Sequence, residues 1–276
     1  MGNIYLQMYS FMDGTMNDSR ENLKKAAELG YDGVELFGPN LEIPPAEMKA
    51  YLKELGLTPV SMHVPKTEMA VQLIPYAKAV GMQFIGIGME VMPDDAAVHA
   101  FAEKLNEIGE ECAREGLMLT YHNHTQEFLP CGDKLVIETL LDETDPGLVS
   151  LELDAGWCAA AGFDPVELIT RYSGRVRLVH IKESSKVVGP QPPMDFAKIP
   201  KDEKGIPVFT EEMKAGMEEL KKINCMAGEG LVDWKKLKET ADAHGCCGYI
   251  VEREYSPEGS RLSVLKKDIE YYRTVL

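Results

Sequence analysis

Eight short β-rich runs, each followed by a stretch of helical periodicity, recur along the 276 residues. They cover residues 4–6, 33–37, 59–62, 84–87, 117–121, 149–153, 176–181 and 248–252. Strand alternating with helix calls for a parallel sheet, because a parallel neighbour is reached only by a crossover and a helix is the compact way to make one. Eight such units in roughly 250 residues suit a closed (β/α)8 barrel better than an open doubly wound sheet. Amphipathic stretches at 21–29, 45–55, 94–115, 165–172, 234–244 and 262–272 supply helices. Gly30, Gly56, Gly81, Gly116 and Gly245 stand where helix C-caps are expected. No Pro/Ser-rich linker divides the chain, so residues 1–276 read as a single domain. The spacing breaks once, between Ile181 and Trp234. There, residues from about 184 to 210, rich in Pro and Lys and without helical period, are expected to form an extended loop over the C-terminal face of the barrel.

Charge excludes some partners. Lys and Arg number 29 against 45 Asp and Glu, a net charge of −16 that repels phosphate backbones and anionic lipid and leaves nucleic acid and membrane out of the expected partners. No apolar run nears the roughly 18 residues of a membrane span. The opening MGNIYLQMYS lacks the plan of a signal peptide, and Leu6 stands where a myristoylation motif needs Ser or Thr, so a cytoplasmic location is expected. The six cysteines, Cys112, Cys131, Cys158, Cys225, Cys246 and Cys247, form no C-x-x-C pair and read as small buried reduced thiols. Gly86-Ile87-Gly88 lacks the rest of a dinucleotide fingerprint and is attributed to packing. Gly228-Glu229-Gly230 reads as a turn before a helix capped by Asp233. No Walker motif, nucleophile elbow or Cys–His nucleophile pattern is present.

In a barrel of this kind, ionisable residues at the C-terminal ends of strands are the informative ones, because catalysis is built there. Here nearly every strand ends in one: Glu35, His63, Glu90, His122 and His124, Asp154, His180, then Glu252 and Glu254. Strand alternation puts Thr120, His122 and His124 on one face, and does the same for Glu152 with Asp154, His180 with Lys182, and Glu252 with Glu254. Carboxylates and imidazoles converging at one end of a barrel carry a desolvation cost that a divalent cation would offset. His99 and His244 fall on helical stretches and are expected at the surface.

The segments YHNHTQEF (121–128), LELDAGW (151–157), VHIKE (179–183), GEGLVDW (228–234) and YIVERE (249–254) occur in this order. Together with NIYLQMYS and VELFG they resemble the xylose-isomerase-like TIM-barrel superfamily of sugar isomerases and epimerases, over essentially the whole chain. The resemblance implies a single (β/α)8 TIM barrel with one divalent ion at its mouth, held by Glu127, Asp154, His180 and Glu252. Such a hard, oxygen-rich set suits Mn, Mg or Co better than Zn. It also implies a small-molecule carbohydrate substrate; self-association into a homo-oligomer is compatible with the sequence.

With Glu127 assigned to the ion, the expected base is His124, assisted by Lys182 and Glu127, and the expected substrate contacts are Glu35, His63, His122, Trp157 and Glu152. Trp157 stands where ketose 3-epimerases of this fold carry a histidine. The reaction expected is isomerisation or epimerisation of a sugar or keto-sugar, by proton abstraction through an enediolate. The alternative is a metal-dependent lyase or dehydratase acting on a 3-keto-sugar, keto-glycoside or keto-inositol. A phosphodiesterase is disfavoured by the −16 charge, and a non-catalytic sugar-binding barrel is the remaining alternative.

Overall fold

The expected alternation closes on itself in the computed structural model, which describes residues 3–12, 18–192, 199–200 and 208–276. Eight parallel strands form the barrel: β1 (Ile4–Gln7), β2 (Gly33–Phe37), β3 (Thr58–Val64), β4 (Phe84–Ile87), β5 (Met118–His122), β6 (Val149–Asp154), β7 (Val176–Ile181) and β8 (Gly248–Val251). Each pairs with its neighbours in chain order, and Ile4–Leu6 of β1 set against Tyr249–Val251 of β8 completes the ring. The chain is therefore one closed barrel, as the repeat predicted.

Side-chain parity divides the interior from the shell. Tyr5, Val60, Phe84, Leu178 and Ile250 pack together as an apolar cluster. Residues of opposite parity on the same strands, such as Leu6, Ile85, Val179 and Val251, belong to the larger core shared with the surrounding helices. Each such aliphatic side chain removed from water contributes about 1.5–3 kcal/mol. Two positions beyond Leu178 and Ile250 come His180 and Glu252, so the interior changes from apolar to ionisable toward the C-terminal mouth.

Helix ends follow the sequence signals. Asp18, Asp94, Asp164 and Asp233 accept N–H bonds from the first turns of their helices, and the five glycines expected as C-caps all have positive φ. The predicted 184–210 loop lies partly outside the described residues, at 193–198 and 201–207. Its described start has no helix, and a helix not foreseen from sequence, Glu211–Lys222, follows it. Ser184 bridges to Asn224, fastening the two ends of the insertion to each other. No helix among the described residues is long and apolar enough to cross a membrane.

The cysteines correct one expectation. All six are free; Cys112, Cys131 and Cys158 are buried, but Cys225 and Cys246 are half-buried and Cys247 is exposed. The last two sit in the turn that leads into β8 rather than in the core. His99 is exposed as expected, whereas His244, at a helix C-cap, is half-buried and meets Ser173.

Candidate active site

Two turns of strand parity build the site. On β6, Glu152 and Asp154 share the inward face with Asp154 nearer the mouth; on β7, His180 precedes Lys182 in the same sense; on β5, Thr120 lies below His122, with His124 just past the strand. Glu252 follows β8 directly. This brings one ligand atom each from His122, Asp154, His180 and Glu252 within 4.8 Å of one another, all four residues buried. His122 Nε2 lies 3.9 Å from Asp154 Oδ2, and His180 Nδ1 lies 3.4 Å from Glu252 Oε2.

Asp154 shows what the group lacks. Its Oδ1 accepts the Trp157 N–H at 2.7 Å, while its Oδ2 is buried with no hydrogen-bond partner. A buried carboxylate oxygen left alone costs about 1–3 kcal/mol or more, and an ion among these donors would remove that cost. Two imidazoles and two carboxylates, with the orphaned oxygen among them, fit a divalent cation. Asn123, which the sequence reading passed over, locks the acid in place: its Oδ1 accepts the Asp154 N–H at 3.0 Å and its Nδ2 donates to the Asp154 carbonyl at 3.3 Å.

Glu127, expected as a ligand, is not brought to this group. It is fully buried, and its oxygens accept from the Tyr121 hydroxyl (2.7 Å), Gln126 Nε2 (2.8 Å) and the His124 N–H (2.7 Å). Those bonds make it a brace for the turn carrying His124. Glu90, after β4, is occupied by Thr67 at 2.5 Å and stands outside the group as well.

His124 is half-buried, with its ring centroid 4.9 Å from that of His122 and 6.0 Å from the Trp157 ring. Its Nδ1 has no hydrogen-bond partner. Burial, reinforced by His122 and Lys182, holds its pKa well below the ordinary imidazole value, so the ring is neutral. Lys182 lies 4.2 Å above the Trp157 ring and pairs with Glu254 at 2.5 Å. Burial pulls its ammonium down, but Glu254, Glu252 and Asp154 outweigh burial and keep it charged. Burial likewise pushes Asp154 up to about 7 and His122 down to about 4. At Glu252 burial is overcome by His180 and Lys182, which hold the carboxyl below its usual range.

Beneath this mouth lies a second polar tier. Glu35 and Glu152 have no solvent exposure, and His63 points its Nε2 at both, 3.3 Å from Glu35 and 2.9 Å from Glu152. The two carboxylates raise His63 to about 8 against the effect of burial. Room for its ring comes from Gly86 and Gly88: a Cβ on Gly86 would stand 2.7 Å from His63 Cδ2, and one on Gly88 3.0 Å from Nδ1. Of the five expected substrate contacts, Trp157 sits against both His124 and Lys182, His122 joins the four-ligand group, and Glu35, His63 and Glu152 form the lower tier. Gln7 and Ser61, which the sequence reading missed, complete that tier. The signal was available for both, since Gln7 is a polar residue ending an apolar first strand and Ser61 has the parity of His63.

The architecture so far defines a (β/α)8 barrel with an ionisable, cation-compatible site at its C-terminal mouth. The profile of the xylose isomerase-like TIM barrel family matches residues 23–275, and the chain belongs to that family. An inosose dehydratase from Geobacillus thermodenitrificans is 30% identical over 154 residues, 55% of this chain and 46% of the relative. The chain thus aligns with about half the length of the curated relatives it matches. A sugar phosphate isomerase/epimerase from Parabacteroides distasonis superposes with a TM-score of 0.75 at 21% identity, covering 98% of this chain and 93% of the other. The probable 3-DHS dehydratase of Bacillus anthracis involved in petrobactin synthesis gives a TM-score of 0.67 at 15% identity, covering 98% of both chains. At those identities the superpositions establish the fold.

Proposed function

We propose that this protein is a metal-dependent lyase that removes water from a keto-polyol or keto-sugar of the inosose class. The observation that carries the reading is one neutral base and one cation set against the same Trp157 ring: His124, with its unpartnered Nδ1, and Lys182. His122, Asp154, His180 and Glu252 would hold the ion. When bound, a divalent cation there supplies Lewis-acid polarisation of a carbonyl and makes the adjacent C–H more acidic. His124 takes that proton on a ring nitrogen, and its low pKa ensures that the ring is unprotonated at neutral pH. The C–H electron pair becomes the new C=C bond as the C–O bond of the β-hydroxyl breaks, and Lys182 supplies the proton that lets hydroxide leave as water. Trp157 offers an apolar wall to one face of the substrate ring and excludes water from the ammonium it covers.

Isomerisation or epimerisation, the first expectation from the sequence, shares the initial proton removal but needs a second group to return a proton to carbon. Lys182, a cation paired with Glu254, is equally able to return a proton to carbon or to protonate a leaving hydroxide, so these two residues serve either reaction. The curated relatives, inosose dehydratases in name, are what favours elimination. The deciding experiment incubates the protein with Mn2+ and a panel of keto-inositols and ketoses in D2O. A product lighter by one water supports the lyase; solvent deuterium on carbon without loss of water moves the assignment to an isomerase or epimerase. Turnover unaffected by exhaustive chelation overturns the metal-dependent scheme.

A further inference from the structure

The lower tier has almost no contact with solvent, Gln7, Glu35, Ser61 and Glu152 having none and His63 little, yet it contains two carboxylates. Its hydrogen bonds explain them. Gln7 Oε1 accepts the Tyr9 N–H at 3.1 Å, which fixes the orientation of that amide. Gln7 Nε2 therefore faces Glu35 Oε1, at 2.5 Å, and His63 Nδ1, at 3.4 Å. Ser61 donates to Glu35 Oε2, and Thr120 donates to Glu152 Oε2 at 3.0 Å. Glu35 Oε1, which also accepts from Gln7, and Glu152 Oε1 both face His180 Nε2, the first at 2.8 Å and the second in closer contact. His63 stacks parallel to His180, with centroids 5.4 Å apart and 4° between planes, and directs its own Nε2 to the same oxygens.

An imidazole nitrogen facing two carboxylate oxygens must carry a proton, because a lone pair there would be repelled by both. The other nitrogen, Nδ1, faces Glu252 Oε2 at 3.4 Å; by the same rule it shares a proton with that acid when no cation is bound, and a cation taking that proton's place would meet the Nδ1 lone pair. A ligating histidine whose second nitrogen donates to a carboxylate is held in one tautomer and one orientation and is a more basic ligand. We propose that Glu35 and Glu152 are positioning residues: together they hold the Nε2–H of His180 from below and so present its Nδ1, beside Glu252, as the nitrogen that takes the ion. This inference rests on the metal site described above. It gives the two acids a role in loading the site rather than in touching substrate, and it makes His63, through its Nε2, a further partner of the same two acids from the side.

The test begins with the wild-type chain, labelled with 15N-histidine and loaded with Zn2+ as a diamagnetic probe. Long-range proton–nitrogen correlation spectra, assigned with His180→Gln, should show His180 protonated at Nε2 and ligated through Nδ1. A proton on Nδ1, or on neither nitrogen, overturns the proposal. Glu35→Gln and Glu152→Gln, which keep shape and remove charge, should each weaken Mn2+ binding by calorimetry about 10–100-fold and move the His180 Nε2–H resonance, with circular dichroism unchanged. Undiminished Mn2+ affinity in both variants overturns this inference and leaves the metal site standing. A wild-type protein that binds neither Mn2+ nor Zn2+ overturns both. Should the variants fail to fold, the wild-type spectrum decides alone.

Discussion

Among the four imidazoles gathered in the barrel, His63 and His180 are committed to Glu35 and Glu152, and His122, whose Nδ1 is also unpartnered, belongs to the four-ligand group, which leaves the unpartnered ring of His124 for proton transfer. Replacing it with Ala should lower turnover by about 10²–10⁴-fold, the usual worth of a general base, while Mn2+ affinity stays near that of the wild type. Full activity in that variant would remove it as the base. Asp154 gives a second residue-scale expectation. Burial raises its pKa to about 7, so below that pH a proton competes with the ion for the same oxygen. The sign follows: Mn2+ affinity should be greatest above pH about 7 and fall as pH drops through it. Calorimetric titrations across that range would refute the assignment if affinity were flat. These residues were legible individually as polar strand ends. Which nitrogen or oxygen of each was already occupied was not legible, because that depends on partners such as Asn123 and Gln7 brought from other strands.

Elements explain why the mouth keeps its shape. Arg253, flanked by Glu252 and Glu254, turns away from the site and bonds Asp268 of the C-terminal helix Arg261–Val275 at 2.7 and 2.6 Å. The strand end that carries Glu252 is thereby fastened to the shell. Glu183, next to Lys182, does the same for the insertion: its Oε1 accepts the Gly228 N–H (2.7 Å), Trp234 Nε1 (2.8 Å) and the Tyr272 hydroxyl (2.8 Å). Glu183→Ala leaves those buried donors unpaired and should cost about 1–3 kcal/mol in urea denaturation; an unchanged midpoint would show that the node does not hold the loop. The GEGLVDW segment was correctly read as a turn followed by an Asp233 cap, but the acid it closes over lies 45 residues earlier, a pairing that no local pattern contains. The helix Ala70–Val80, whose end the sequence marks at Gly81, carries Pro75 inside it.

At the level of the whole molecule, the −16 charge divides into a surface excess and a small buried set that calls for a cation. If the site binds Mn2+, the ion should stabilise the fold by mass action, by about 2.7 kcal/mol at a hundredfold excess over Kd. A thermal melt should therefore shift upward by several degrees with Mn2+ and return on chelation; a melt indifferent to the ion would argue against a site in the folded state. The fold was open to reading from the chain because alternation and periodicity are local: each strand and helix announces its own buried face, and eight of them in order leave one closed arrangement. The inward parity of His122, Asp154, His180 and Glu252 came from the same local rule. The fate of Glu127 did not, since whether a carboxylate ligates or braces depends on which donors reach it, and Tyr121, Gln126 and the His124 amide reach it first. Nor could strand parity reveal that Glu35 and Glu152 meet around one nitrogen of His180. Residues 35, 152 and 180 are distant along the chain, and only closure of the barrel puts their side chains in one buried layer, where satisfying every polar atom decides what each can do.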